Sequence, residues 1–349
     1  MIEPSIEVDL DAFRHNVRRL SSIAAPARTM LAVKANAYGH GLLPLARAAL
    51  ESGADSLAVL DVPAGLELRA AGFDVQIFAW MHGPHTDFAG AIRESIDLGI
   101  SALWQLDAIT AAGETDRARV HLKIDTGLHR NGASIEEWPS LVSAAVAAER
   151  AGVLTIVGIW SHLADASPED DADALARLHA AVEVAKDLGA TPTTLHLAAS
   201  SAGIREPEAR LDLVRFGIAA YGISPFDDES AADLGLIPVM TFRAPVVSVN
   251  AGVATIAVGS ADGIHVGPSH VAEVAIGGIR HRISSVDVNS LTIDVGDALV
   301  SVGDNVTIFG TGDDGAMTAE EWAVRTGTIG DEIVVRASRR IPRTYLGER

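Results

Sequence analysis

Residues 30–41 read Met30-Leu-Ala-Val-Lys34-Ala-Asn-Ala-Tyr38-Gly-His-Gly41, and the reading of this stretch sets the pattern of the fold. An apolar run ends in a lysine, a tyrosine and two glycines follow in a tight turn, and residues 42–52 then have helical spacing. That is a strand, a loop and a helix in succession. An amine held in a dry site has a lowered pKa and forms Schiff bases. A tyrosine hydroxyl and exposed backbone N–H groups suit a phosphate. An aldehyde that carries a phosphate meets both demands, which points to pyridoxal 5′-phosphate (PLP).

The same alternation continues outward. Candidate strands lie at 28–34, 56–60, 75–80, 98–103, 119–125, 154–162, 194–198 and 211–216, with helical patterns such as 42–52, 62–71 and 171–188 between them. Eight strands alternating with helices over about 200 residues predict a (β/α)8 TIM-like barrel, with an open doubly wound sheet as the alternative. Past residue 236 the texture changes to β-rich runs at 244–249, 253–258, 271–276 and 290–295, separated by Gly, Asn and Asp. One helix-like stretch, 318–327, opens at Thr318 with Glu320 and Glu321 in its first turn. The expected division is a PLP-binding barrel at 11–230 and a β-domain at 231–349. A strand-like segment at 5–10 joins either the barrel or the β-domain.

Composition excludes several classes. The chain of 349 residues has no cysteine, which removes disulfides, thiolate metal sites and a cysteine nucleophile, and no metal site is expected. A net charge of −19 argues against a nucleic-acid partner. The first ten residues carry acids and lack the apolar core of a signal peptide. Apolar runs are broken well before the roughly 20 residues that a membrane span requires. A soluble cytoplasmic protein is expected.

Chemistry on a barrel belongs at the C-terminal ends of its strands. Lys34 follows strand one there, Lys123 to Arg130 strand five, His162 strand six, Ser200 strand seven, and Arg215, Gly217 and Ile218 strand eight. Ser200 and the N–H groups of Gly217 and Ile218, with Tyr38, are placed to bind a phosphate. Arg215 forms either a salt bridge inside the barrel or a hydrogen bond to a pyridine nitrogen. His162 acts as a base or orients Arg215, and orientation is the favoured reading. Arg130 suits a substrate carboxylate, because a guanidinium matches that group bidentately.

With these residues in view, the chain resembles the alanine racemases, PLP enzymes that interconvert L- and D-alanine. The resemblance rests on 32–41, on His121-Leu-Lys-Ile-Asp-Thr-Gly-Leu-His-Arg130, on Val214-Arg-Phe-Gly-Ile-Ala-Ala-Tyr-Gly222 and on Ser260-Ala-Asp-Gly263. It implies an isomerase with a barrel, a β-domain and a homodimer whose sites are shared between chains, acting on a small amino acid such as alanine. By motif, Lys34 would be the Schiff-base lysine and one catalytic base. Tyr38, Ser200, Gly217 and Ile218 would hold the phosphate, Arg215 the pyridine nitrogen with His162 behind it, and Arg130 the carboxylate. Lys123 stands where many members carry a carbamylated lysine.

The pattern breaks most plainly at the second proton donor, with further departures at Ala199, Val286 and Arg339. The family supplies its second proton from a tyrosine in the β-domain, before a Tyr-Ala-Asp-Gly motif. Here residues 249–259 read Val-Asn-Ala-Gly-Val-Ala-Thr-Ile-Ala-Val-Gly, without a tyrosine, and Ser260 replaces the motif's own. Three outcomes are open. Another residue supplies the proton, with His265 and His270 as candidates; or the chemistry uses one face only or another substrate; or the chain binds PLP with little turnover.

Overall fold

The computed structural model describes residues 3–113, 115–264 and 271–348. It divides into two compact units. One comprises Leu20–Lys34 and Gly53–Gly217, and the other Met1–Arg19, Ala35–Ser52 and Ile218–Arg349.

After β1 (Ser5–Asp9), which lies in the other unit, come the eight strands of the barrel. They are β2 (Arg28–Ala32), β3 (Ser56–Val59), β4 (Gln76–Ala79), β5 (Ile96–Ile100), β6 (Ala118–Lys123), β7 (Leu154–Trp160), β8 (Thr194–His196) and β9 (Leu213–Phe216). All neighbours are parallel, in the order β8-β7-β6-β5-β4-β3-β2-β9. The two ends meet through Asp212 N–H to Leu195 O and Arg215 N–H to Ala198 O, both 3.1 Å. The ring therefore closes, and the open-sheet alternative falls.

Strands buried on both faces read as apolar runs, and alternate side chains point inward. Met30, Ala32, Ala58, Phe78, Trp160 and Leu213 fill the interior as one cluster. Gly99 makes space for the large rings, since a Cβ there would lie 3.1 Å from both Phe78 and Trp160. Some of the surrounding helices start where a short polar side chain caps them. Asp61 accepts from Ala64 N–H before Val62–Ala70, and Ser167 from Asp170 N–H before Pro168–Asp187.

The second unit is a mostly antiparallel sheet. Its further strands are β10 (Met240–Asn250), β11 (Val253–Ile256), β12 (Glu273–Ile276), β13 (Ile279–Val286), β14 (Leu291–Asp294), β15 (Asn305–Phe309) and β16 (Arg343–Leu346). The order is β11-β14-β13-β12-β15-β10-β1-β16, and β11 also pairs with β10. Six strands thus close on themselves, because the long β10 reaches both β15 and β11. The N-terminal strand β1 lies antiparallel to β10 and parallel to β16. The expected helix appears as Ala319–Thr326, with a capping box between Thr318 and Glu321. Among the described residues, no helix is long and apolar enough to cross a membrane.

Candidate active site

Four consecutive residues after Lys34 adopt left-handed backbone. Ala35, Asn36 and Ala37 have φ/ψ of 53/45, 58/49 and 52/56, and Tyr38 has φ 49. Such conformations cost L-residues about 1–2 kcal/mol each, and they persist only where the surroundings over-determine them. Here Gly39 N–H donates to Ala35 O, Gly41 N–H to Asn36 O, and Leu42 N–H to the Asn36 side-chain oxygen, each at 2.9 Å. Arg343 Nε donates to Gly39 O (2.8 Å) and the Tyr345 hydroxyl to His40 O (3.1 Å). Gly39, at φ 83, is needed because a Cβ would sit 2.5 Å from Val334 O. The turn buries Tyr38, whose ring lies 4.7 Å from that of Tyr221. Burial and the Asp331 charge raise the Tyr38 pKa, so its hydroxyl keeps its proton.

Inside the barrel unit, cations gather. The alternation that turns Met30 and Ala32 inward does the same for Arg119, His121 and Lys123 on β6 and for Leu213 and Arg215 on β9. Lys123 is buried, with Nζ 4.6 Å from the centre of the Trp160 ring. Burial, then the charges of Arg215 and Arg130, push its amine down to about 7. The Arg215 guanidinium lies 5.1 Å from the same ring, and burial and Arg130 lower it to about 9, still charged at neutral pH. Its NH2 donates to Ser161 O and Leu197 O, each at 2.9 Å, and to His162 Nδ1 at 3.1 Å. His162 is held down to about 2 by burial and by the charges of Arg215, Arg130, Lys123 and Lys34. A ring that stays neutral at working pH is a poor proton carrier, so the orienting reading is favoured. Ser200 Oγ accepts from Gly217 N–H at 3.1 Å. Arg130 is exposed. The structure thus brings Lys34, Lys123, Arg130, His162 and Arg215 into one electrostatic group. Tyr38 and Ile218 belong to the second unit, where Ile218 begins the 3-10 turn Ile218–Tyr221.

A further set of residues was not singled out from the sequence. Arg215 NH1 meets His196 Nδ1 at 2.9 Å, His196 Nε2 meets His121 Nδ1 at 2.9 Å, and His121 Nε2 meets Asp97 Oδ2 at 3.1 Å. Asp97 also accepts from Gln76 Nε2 (2.7 Å) and Arg119 Nε (2.6 Å). Gly158 makes room for this, because a Cβ there would lie 2.5 Å from His121 Nδ1. The available signal was parity: His121 shares its inward face with Lys123, and His196 ends β8 shortly before Ser200.

The donor set fits an anionic, aromatic ligand such as PLP. The side chains of Lys123 and Arg130 make no hydrogen bond or ion pair among the described residues, although Asp125 lies within reach of the Lys123 charge. Asp125 itself accepts from Gly127 and His129 N–H. The Arg215 Nε–H also makes no hydrogen bond there. Cations without acidic partners call for an anion. No group of three potential metal ligands occurs among the described residues.

The segment expected to carry the second proton donor is a tight hairpin between β10 and β11, turned by Ala251 and Gly252 at φ 47 and 77. His265 and His270 lie outside the described residues.

Comparison with known proteins agrees along the whole chain. The family model for the alanine racemase N-terminal domain matches residues 8–225, and that for the C-terminal domain matches residues 241–345. The alanine racemase of Salinispora tropica is 42% identical over 375 residues, covering 100% of both chains. That of Frankia casuarinae is 42% identical, covering 97% of this chain and 95% of the relative. Among solved structures, the alanine racemase of D-cycloserine-producing Streptomyces lavendulae superposes with a TM-score of 0.94 at 38% identity, covering 100% of this chain and 98% of that one.

Proposed function

The chain belongs to the alanine racemase family of PLP-dependent racemases, and on that premise we propose that it interconverts L- and D-alanine with Lys34 as one of its two proton carriers. The observation that carries the reading is the cation group inside the barrel: Lys34, Lys123, Arg130 and Arg215 around a neutral His162.

When bound, PLP supplies an aldehyde that captures an amino group and a ring that draws electron density from the α-carbon. Lys34 would hold it, Tyr38, Ser200, Gly217 and Ile218 would bind its phosphate, and Arg215 would face its pyridine nitrogen as a donor only. Arg130 binds the substrate carboxylate with its forked donors. Lys34 Nζ then takes or returns the α-proton on one face. His162 keeps Arg215 NH2 in place by accepting from it. On the opposite face the proton is carried by a group other than the family tyrosine, and the site is completed in a homodimer.

The test is exchange in heavy water. Both L- and D-alanine are expected to acquire deuterium at the α-carbon, and L-alanine to yield D-alanine, all lost in Lys34→Ala. Retention of the α-proton in either enantiomer would overturn two-face chemistry. A monomer in sedimentation at assay concentration would overturn the shared site.

A further inference from the structure

Asp97, His121 and His196 lie outside every role assigned above. They connect Arg215, at the C-terminal end of the barrel, to Asp97, near the start of β5 at the opposite end. His121, His196 and Asp97 are each at most 1% exposed. Barrel interiors are filled mainly by branched apolar residues, and burying this many polar groups is costly unless each is satisfied. Here they are: Asp97, His121 and His196 have no orphaned buried atom.

The protons in this chain can be placed in one way only. A guanidinium N–H donates and never accepts, so His196 Nδ1 must carry a lone pair. His196 then bears its proton on Nε2 and donates to His121 Nδ1. His121 in turn bears its proton on Nε2 and donates to Asp97 Oδ2. Protonating either ring would set two donors face to face, at Arg215 or between the rings. Asp97 completes the chain as an anion: burial works to raise its pKa, and the hydrogen bonds from His121 and Arg119, with the Arg119 charge, outweigh that.

We propose that Asp97, His121 and His196 form a positioning relay, which ties the buried cation Arg215 to a buried anion through two neutral rings and fixes the direction in which Arg215 presents its remaining N–H donors. These three are positioning residues, since none of them faces the reacting atoms. Packing supports the arrangement: His196 stacks on Trp160 at 5.6 Å and 5°, and Phe78 meets His121 and His196 at 4.9 and 5.4 Å. The bare Cα of Gly158 leaves the space that the His121 ring needs. The inference rests on the proposed function for its purpose, but its geometry is independent of it.

The test begins with the cofactor-free wild type labelled with 15N-histidine. His121 and His196 are expected as neutral Nε2–H tautomers from pH 6 to 8. A protonated ring or an Nδ1–H tautomer at either position overturns the relay. Asp97→Asn then places an amide where three donors converge, while Arg119→Gln removes the solvent-side ion pair and leaves all three links intact. Asp97→Asn is expected to perturb both histidine signals and to lower kcat about tenfold, the effect of one hydrogen bond, with KM for alanine unchanged. Arg119→Gln is expected to leave the tautomers as they are and to shift kcat less than about twofold. Equal effects of the two substitutions on kcat would mean that the chain serves stability alone and would overturn the proposal. Absence of racemisation in the wild type would refute the functional reading, and the tautomer measurement would still decide the relay.

Discussion

Replacing Lys123 by methionine should stabilise the cofactor-free protein at neutral pH, and the gain should shrink as the pH rises. Lys123 is 4% exposed and its amine lies among cations, with its pKa lowered from 10.5 to about 7. That difference corresponds to about 5 kcal/mol of preference for the neutral form. The sign follows from proton linkage. Below pH 7 both folded and unfolded states hold the proton, and the full penalty is present. Between pH 7 and 10.5 the unfolded chain holds a proton that the folded chain lacks, so stability rises with pH. Methionine keeps the apolar stem against Trp160 and removes the charge. In urea titrations under carbon dioxide-free buffer, the advantage of Lys123→Met over wild type should fall by about 2–3 kcal/mol between pH 6 and pH 9. An advantage that is the same at both pH values, or a variant less stable at pH 6, would refute the account of the site as a crowded cation group.

The same lowered pKa leaves much of the amine unprotonated at neutral pH. A neutral amine adds to carbon dioxide: the N–C bond forms, one proton passes to solvent, and a carbamate anion remains beside Arg130 and Arg215. Bicarbonate should therefore raise the melting temperature of the wild type and leave Lys123→Met unmoved, with a carbamate carbon signal when 13C-bicarbonate is used. A matching rise in both proteins would exclude this modification.

His162, with its pKa near 2, should stay neutral by NMR down to pH 4. The acid limb of the rate profile should then be the same in His162→Gln, and loss of that limb would make the ring a proton carrier. Gly158→Ala places a methyl group 2.5 Å from His121 Nδ1 and 2.7 Å from Thr194 O, so it should cost about 1–3 kcal/mol in urea unfolding; a neutral result would show that the ring has room to move. If His265 or His270 carries the second proton, its change to glutamine should stop deuterium entry into one alanine enantiomer and spare the other, whereas undiminished exchange into both would eliminate that histidine.

The barrel was legible because strands covered on both faces cannot disguise themselves. Each predicted run contains or overlaps a strand of the ring, and the helices at 42–52 and 62–71 end within a residue of Leu42–Glu51 and Val62–Ala70. The count of eight strands pointed to a closed ring, while the two backbone hydrogen bonds across β8 and β9 that close it are a property of the folded chain. The partner of β1 was not legible, because pairing between residues 5–8 and 240–243 is likewise a property of the folded chain. At the site, the tyrosine and the glycines announced a turn, but alanine carries no signal for left-handed backbone, so the strained run at 35–38 could not be foreseen. The residues Asp97, His121 and His196 sit on three strands, and only the register, with Phe78 opposite Asp97, Gly99 opposite His121 and Trp160 opposite His196, brings them into line.

That contrast bears on the missing tyrosine. The barrel keeps its lysine, its locked arginine and the room for both, whereas residues 249–259 of the β-rich unit contain no tyrosine. Each of the three tyrosines is held where it stands. Tyr38 and Tyr221 are buried against each other, and Tyr345 gives its hydroxyl proton to the His40 carbonyl. Spending any of them on proton transfer would dismantle the turn that follows Lys34. The β10–β11 hairpin is likewise too tight to hold a longer tyrosine-bearing stretch, because its two turn residues already sit at positive φ and its register runs unbroken from Ser248–Thr255 to Asn250–Val253. A tyrosine grafted into that strand would have to come in by substitution. Thr255 in the strand and Ala257 just past its end are the positions to try, and recovery of exchange at one enantiomer alone would show that the second face, and not the barrel, is what diverged.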